Sequence, residues 1–107
     1  MEYRKKVLVV DDEKSLRDFV RKNLEIRTYK VLTASNGLEA MAIFNTERVD
    51  LVVIDIMMPH MDGVEATRQI LAAAPHSRVL ILTSFGEDAQ VFPAIRAGAQ
   101  GYLLKDI

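Results

Sequence analysis

The stretch VDLVVIDIMMPHMDG, Val49 to Gly63, runs through four apolar residues, Leu51 to Ile54, and then sets a carboxylate, Asp55, at their end. A short continuous run rich in β-branched side chains reads as a strand covered on both faces, the pattern of a parallel sheet. A charge at the end of such a strand is costly to bury unless it is paired. Asp55 therefore needs company from other elements, and the fold has to bring that company to it.

Working outward, three more runs of the same kind appear: VLVV (7–10), VLIL (79–82) and YLL (102–104). KVLTA (30–34) is a weaker strand whose mixed polarity suits a sheet edge. Helical patterns lie between them. Leu16, Phe19, Val20 and Leu24 share one face of a first helix. Asn36 with Glu39, and Asp62 with Glu65, have the capping-box spacing that opens a second and a third. Leu38, Met41, Ile43 and Phe44 supply the apolar content of the second, and Ile70 and Leu71 that of the third. A fourth helix between Asp88 and Ala97 contains Pro93, which predicts a late start or a kink, with Gly98 as its stop.

The alternation β1-α1-β2-α2-β3-α3-β4-α4-β5 predicts an α/β fold, a doubly wound parallel five-stranded sheet of order 2-1-3-4-5. In such sheets a ligand sits outside the carboxyl ends of the strands at the switch point, here beside strands 1 and 3. The chain stops at Ile107, directly after strand 5. A helix is needed there to cover the last face, so a fragment lacking its fifth helix, or cover from another chain, is expected.

Composition narrows the function. The 107 residues suit one domain, and 50% are hydrophobic, as in an ordinary globular protein. With 14 basic and 15 acidic residues the net charge is −1, which offers no electrostatic footprint for nucleic acid. The absence of cysteine excludes disulfides, thiolate metal sites and thiol nucleophiles. Basic residues precede Val7–Val10, but that run is too short for a secretory signal, and no stretch is long enough to span a membrane. A cytoplasmic, soluble protein is expected.

The polar residues fall at one edge of this scheme. Asp11 and Asp12 close strand 1, Asp55 strand 3, Thr83 and Ser84 strand 4, and Lys105 strand 5. Three clustered carboxylates repel one another, which a hard divalent cation relieves. Magnesium suits this set, since it takes one or two carboxylates plus waters and a phosphate oxygen. His60 and His76 stand apart as loop residues, which argues against zinc or copper. A carboxylate beside magnesium can act as nucleophile toward a phosphoryl group, with Lys105 and the metal neutralising the equatorial oxygens and the Thr83 hydroxyl donating to one of them.

From VLVVDDE through DIMMPHMDG and ILTS to GYLLKD, the chain resembles a two-component response-regulator receiver domain over its whole length. The resemblance implies that Asp55 accepts a phosphoryl group from a sensor histidine kinase. It implies Asp12 as a direct Mg2+ ligand, Asp11 as one acting through water, and Asp55 and the Met57 carbonyl completing the protein's share. Thr83 matches the switch hydroxyl, Lys105 the phosphate-binding lysine, and Tyr102 the aromatic that swings inward on activation. Pro59 and Gly63 fit the same motif. The implied function is a phosphorylation-dependent signalling switch that catalyses its own phosphorylation and slow hydrolysis and controls an effector in transcription.

FPAIRAGAQGYLLKD (92–106) resembles NarL-type regulators, which carry a helix-turn-helix DNA-binding domain, whereas the first half looks more like the winged-helix class. Residues 1–107 would then be a receiver domain cut before its last helix, its output domain absent, with homodimerisation through the surface so exposed. Met57 and Phe85 occupy positions flanking the phosphoryl group and should hinder an attacking water. Three other readings are weighed against this one. A receiver-like domain that never takes phosphate would not need the intact acid pair, Thr83 and Lys105. A flavodoxin-like carrier would meet repulsion of its phosphate at VVDDEKS. A phosphatase with an aspartyl nucleophile would want a second carboxylate where Met57 stands.

Overall fold

The computed structural model describes residues 4–58, 62–84 and 88–105. Five strands, β1 (Lys6–Val10), β2 (Lys30–Ala34), β3 (Leu51–Asp55), β4 (Arg78–Thr83) and β5 (Gly101–Leu104), alternate with four helices. These are α1 (Lys14–Ile26), α2 (Gly37–Phe44), α3 (Gly63–Ala73) and α4 (Asp88–Arg96). The strands form one sheet in the order β2-β1-β3-β4-β5, and every pairing is parallel. The expected order and alternation are both found, with KVLTA at the edge that its mixed polarity suggested.

Strands β1, β3 and β4 contribute to both faces, which is why their runs are apolar without alternation. The run 102–104 in β5 departs from the expected cover on both faces: Tyr102 and Leu103 are exposed at the sheet edge. Leu8, Val10, Val52, Ile54, Val79 and Ile81 lie on the face that α2, α3 and α4 cover. Val7, Val9, Val53 and Leu82 lie on the other, against Leu16, Val20 and Leu24 of α1. Leu8, Ile54, Ile56, Ile70 and Ile81 are fully buried, each contributing roughly 1.5–3 kcal/mol of apolar burial.

Two residues expected on the packed faces of helices also lie outside. Phe19 is 63% exposed and Leu38 66% exposed. The stripe of α1 that meets the sheet is the narrow i, i+4, i+8 row of Leu16, Val20 and Leu24, and Phe19 falls beside it. Met41, Ile43 and Phe44 carry the packing of α2 without Leu38.

Helix boundaries follow local chemistry. The Asn36 side chain accepts from the Glu39 amide at 2.9 Å, and the Asp62 side chain from the Glu65 amide at 2.9 Å, as capping spacing requires. The reciprocal half of the box is absent at both: Glu39 turns to Ser35, and Glu65 to Arg68. Helix α4 begins at Asp88 and runs through Pro93, so the expected late start is not found. It ends in a Schellman motif, with Gly98 at φ 119° donating to Ile95 O at 3.0 Å and Ala99 to Ala94 O at 3.0 Å.

One close approach fixes the turn beyond β3. A Cβ on Gly63 would stand 2.7 Å from Ile56 Cα and 2.9 Å from Asp55 O. Only glycine lets the start of α3 lie against the backbone of Asp55, where the Gly63 amide donates to Ile56 O at 2.9 Å.

Candidate functional site

Parallel pairing puts the carboxyl ends of all strands on one edge, and backbone bonds carry the ladder just past them. The Asp11 amide donates to Ala34 O at 3.1 Å, the Ile56 amide to Leu82 O at 2.9 Å, and the Lys105 amide to Thr83 O at 2.7 Å. Asp11, Asp55, Thr83 and Lys105 are thus held by main-chain geometry before their side chains interact.

The side chains then converge. Lys105 Nζ lies 2.8 Å from Asp55 Oδ2 and 3.5 Å from Asp11 Oδ2, with both carboxylates almost wholly buried. One carboxylate oxygen from each of Asp11, Asp12 and Asp55 falls within 4.8 Å of the others, Asp12 being the exposed member. Asp55 Oδ1 accepts from the Met57 amide at 3.1 Å, and Asp11 Oδ1 from the Glu13 amide at 2.8 Å. Asp11 Oδ2 is buried with no hydrogen-bond partner.

The charge count is lopsided, three carboxylates against one ammonium. Burial raises the pKa of Asp55, an effect that its bonds from Lys105 and Met57 only partly offset. Burial likewise raises that of Asp11, aided by the nearby Asp55 charge and opposed by the Glu13 amide and Lys105. For Lys105, burial pulls the pKa down, but the bond to Asp55 and the charges of Asp55 and Asp11 outweigh it and the net shift is upward. The ammonium is firmly charged, and one more cation is wanted.

The donor set suits a hard divalent ion. It is all oxygen, and it includes a buried carboxylate oxygen with no hydrogen bond.

The remaining predicted residues fall as follows. Thr83 is buried at the end of β4, its hydroxyl donating to Ser84 O at 3.4 Å. Met57 is 51% exposed beside Asp55, and its amide, a role the sequence did not suggest, holds that carboxylate. Tyr102 is 54% exposed on β5, in an outward position, against the half-buried state that an ordinary strand aromatic would take. His76 is exposed and away from the acids. Pro59, His60, Phe85 and Asp106 lie outside the described residues. One contact was not legible: Arg17 of α1 reaches back to donate to Asp11 O at 2.7 Å.

The doubly wound sheet thus gathers a carboxylate triad and a lysine at its switch-point edge. The model of the response regulator receiver domain matches residues 7–107, and the chain belongs to that family. It is 40% identical over 101 residues to the alkaline phosphatase synthesis transcriptional regulatory protein PhoP of Bacillus subtilis, a match covering 94% of this chain and 42% of that protein. The chain thus spans less than half the length of that relative. A receiver domain protein from Clostridium thermocellum superposes with a TM-score of 0.88 at 37% identity, covering 96% of this chain and 83% of that one. A Burkholderia pseudomallei response regulator, solved with a phosphorylated aspartic acid, calcium ion and citrate, superposes with a TM-score of 0.89 at 28% identity, covering 96% of this chain and 61% of that one. Receiver domains generally take part in phosphorylation-dependent signalling, are phosphorylated by sensor histidine kinases and bind Mg2+ at an acidic pocket. Among the described residues no helix is long and apolar enough to cross a membrane.

Proposed function

We propose that this chain is a phosphorylation switch in which Asp55 accepts a phosphoryl group from a sensor histidine kinase in the cytoplasm. One observation carries the reading: the buried Asp55 carboxylate lies 2.8 Å from the Lys105 ammonium and within reach of two further carboxylates. An Asp55 carboxylate oxygen attacks phosphorus in line. The O–P bond forms as the P–N bond to the donor imidazole breaks, and the imidazole leaves with the electron pair and takes a proton from solvent. Lys105 shifts from Asp55 to a phosphoryl oxygen, and the Thr83 hydroxyl donates to another. Mg2+ held by Asp11, Asp12, Asp55 and the Met57 carbonyl would supply the remaining charge neutralisation. Tyr102, outward in this state, follows Thr83 inward after transfer.

The test is intact mass after incubation with Mg2+ and acetyl phosphate. A single phosphoryl adduct is expected, absent without Mg2+ and absent in Asp55→Asn. No adduct on folded protein would end the reading. Hydrolysis of the adduct is slow because Met57, two residues on with its amide on Asp55, is bulky and apolar and hinders an attacking water. Met57→Asn should shorten its lifetime severalfold, and an unchanged decay would remove that role.

The output is control of transcription, supported by the similarity to PhoP. The NarL-like stretch 92–106 points to a helix-turn-helix module. Fusing either class of DNA-binding domain and measuring phosphorylation-dependent promoter binding decides between them. Phe92, Ile95, Tyr102 and Leu103 expose apolar surface around α4 and β5, and association through it is our reading of the oligomeric state. A monodisperse monomer by light scattering at high concentration would overturn that.

A further inference from the structure

Helix α1 starts without the usual lock. Its N-cap is Glu13, which makes no side-chain capping bond, and no acidic residue lies in the first turn. Something else has to set the connection from β1 to α1, because Asp12, the exposed member of the carboxylate triad, sits inside it. Three bonds do so, all on Asp11. Its amide donates to Ala34 O at 3.1 Å, its Oδ1 accepts from the Glu13 amide at 2.8 Å, and its carbonyl accepts from Arg17 Nη1 at 2.7 Å.

The last of these is unlike the other charged contacts of α1. Lys14 pairs with Asp18, and Arg21 with Asp18 and Glu25. Arg17 makes no ion pair among the described residues and spends its guanidinium on a neutral carbonyl six residues back. That carbonyl belongs to the peptide joining Asp11 to Asp12. A peptide is planar, so anchoring its oxygen also orients the N–Cα bond that carries the Asp12 side chain.

We propose that Arg17 is a positioning residue for the cation pocket: it fixes the Asp11–Asp12 peptide so that the Asp12 carboxylate faces Asp11 and Asp55. This rests on the reading of the triad as a Mg2+ site. The sign of the effect separates the role from simple electrostatics. Removing a positive charge near three carboxylates strengthens their attraction for a cation, whereas removing a strut weakens binding by loosening one ligand.

The experiment is a Mg2+ titration of the whole chain, followed by amide NMR shifts of Asp12, Asp55 and Met57. Arg17→Met is compared with wild type, with Arg17→Lys, and with Lys22→Met as a charge-matched control on the same helix. Arg17→Met should bind Mg2+ about tenfold more weakly, the lower end of the range for groups that orient metal ligands. Arg17→Lys should recover part of this, and Lys22→Met should equal or slightly exceed wild type. In acetyl phosphate assays the Mg2+ midpoint of Arg17→Met should rise while the rate at saturating Mg2+ stays near wild type. Unchanged or tighter Mg2+ binding by folded Arg17→Met overturns the proposal and leaves the pocket reading intact. No saturable Mg2+ shift in wild type overturns both.

Discussion

The two edges of the sheet carry similar residues and treat them in opposite ways. At the amino edge the Lys6 amide donates to Asp50 Oδ2 at 2.9 Å, Lys6 Nζ meets Glu47 at 3.0 Å, and Arg48 Nε lies 4.0 Å from Asp50. The Asp50 main chain joins both neighbours, its amide donating to Lys6 O and its carbonyl accepting from the Arg78 amide. Among the described residues there, Glu47 and Asp50 each have a basic group of their own. At the carboxyl edge three acids share one ammonium, and a buried carboxylate oxygen has no hydrogen bond. Satisfied charge at one end steadies the strand ends. The excess of negative charge at the other is what the proposed binding of a cation and a phosphoryl group would relieve.

The largest effect should come from exchanging the two kinds of loss. Lys105→Ala should slow phosphorylation of Asp55 about a hundredfold, the order expected for one stabilising group in a transition state, by mass-detected time course. Asp50→Ala should leave that rate unchanged while lowering stability in urea by about 1–3 kcal/mol, because the Lys6 amide loses its acceptor. Equal slowing by both would abolish the distinction between the edges.

Gly63→Ala sharpens it from the backbone side. The added Cβ would press on Ile56 Cα and Asp55 O, so a cost of about 1–3 kcal/mol and a slower phosphorylation are expected together. A stability loss with a normal rate would show that the site tolerates movement of Asp55.

Strain also occurs away from the site. Thr28 ends α1 at φ 68°, the left-handed region, in a Schellman pattern with its amide on Glu25 O and that of Tyr29 on Leu24 O. A β-branched residue is costly there, so Thr28→Gly should gain about 1 kcal/mol in urea without altering phosphorylation.

The smallest effect is the pH dependence of the amino edge. The hydrogen bond from Lys6, with its charge, holds the Glu47 carboxyl below its ordinary 4.5. A lowered acid contributes stability that is complete above its unfolded value and lost as pH falls through the folded one. The gap between wild type and Lys6→Met should therefore be full above about 4.5 and close below it. A gap that persists in stronger acid would mean that Lys6 acts through packing alone. The pair is half-buried at the surface and open to solvent screening, and the effect is small.

Much of this was legible in the chain. The apolar runs 7–10, 51–54 and 79–82 mark buried strands because a parallel sheet covered on both faces leaves no alternate position polar. Asn36 and Asp62 mark helix starts because their side chains replace a missing backbone acceptor. The acids at strand ends predict a common site because parallel strands end together. Phe19 and Leu38 were misplaced since periodicity names a face and not its width. Of the late start or kink that Pro93 suggested, the late start is not found, since α4 begins ahead of it at Asp88.

By itself the sequence determined the order of elements and the edge on which the acids gather, because both follow from local patterning and parallel topology. Only the tertiary structure decided which acids are buried, that Lys105 bonds Asp55 at 2.8 Å, that the Met57 amide holds its other oxygen, and that Arg17 reaches Asp11 O. Those are distances between groups remote in the chain or turned by its loops. They depend on strand register and helix rotation, which no run of residues encodes alone.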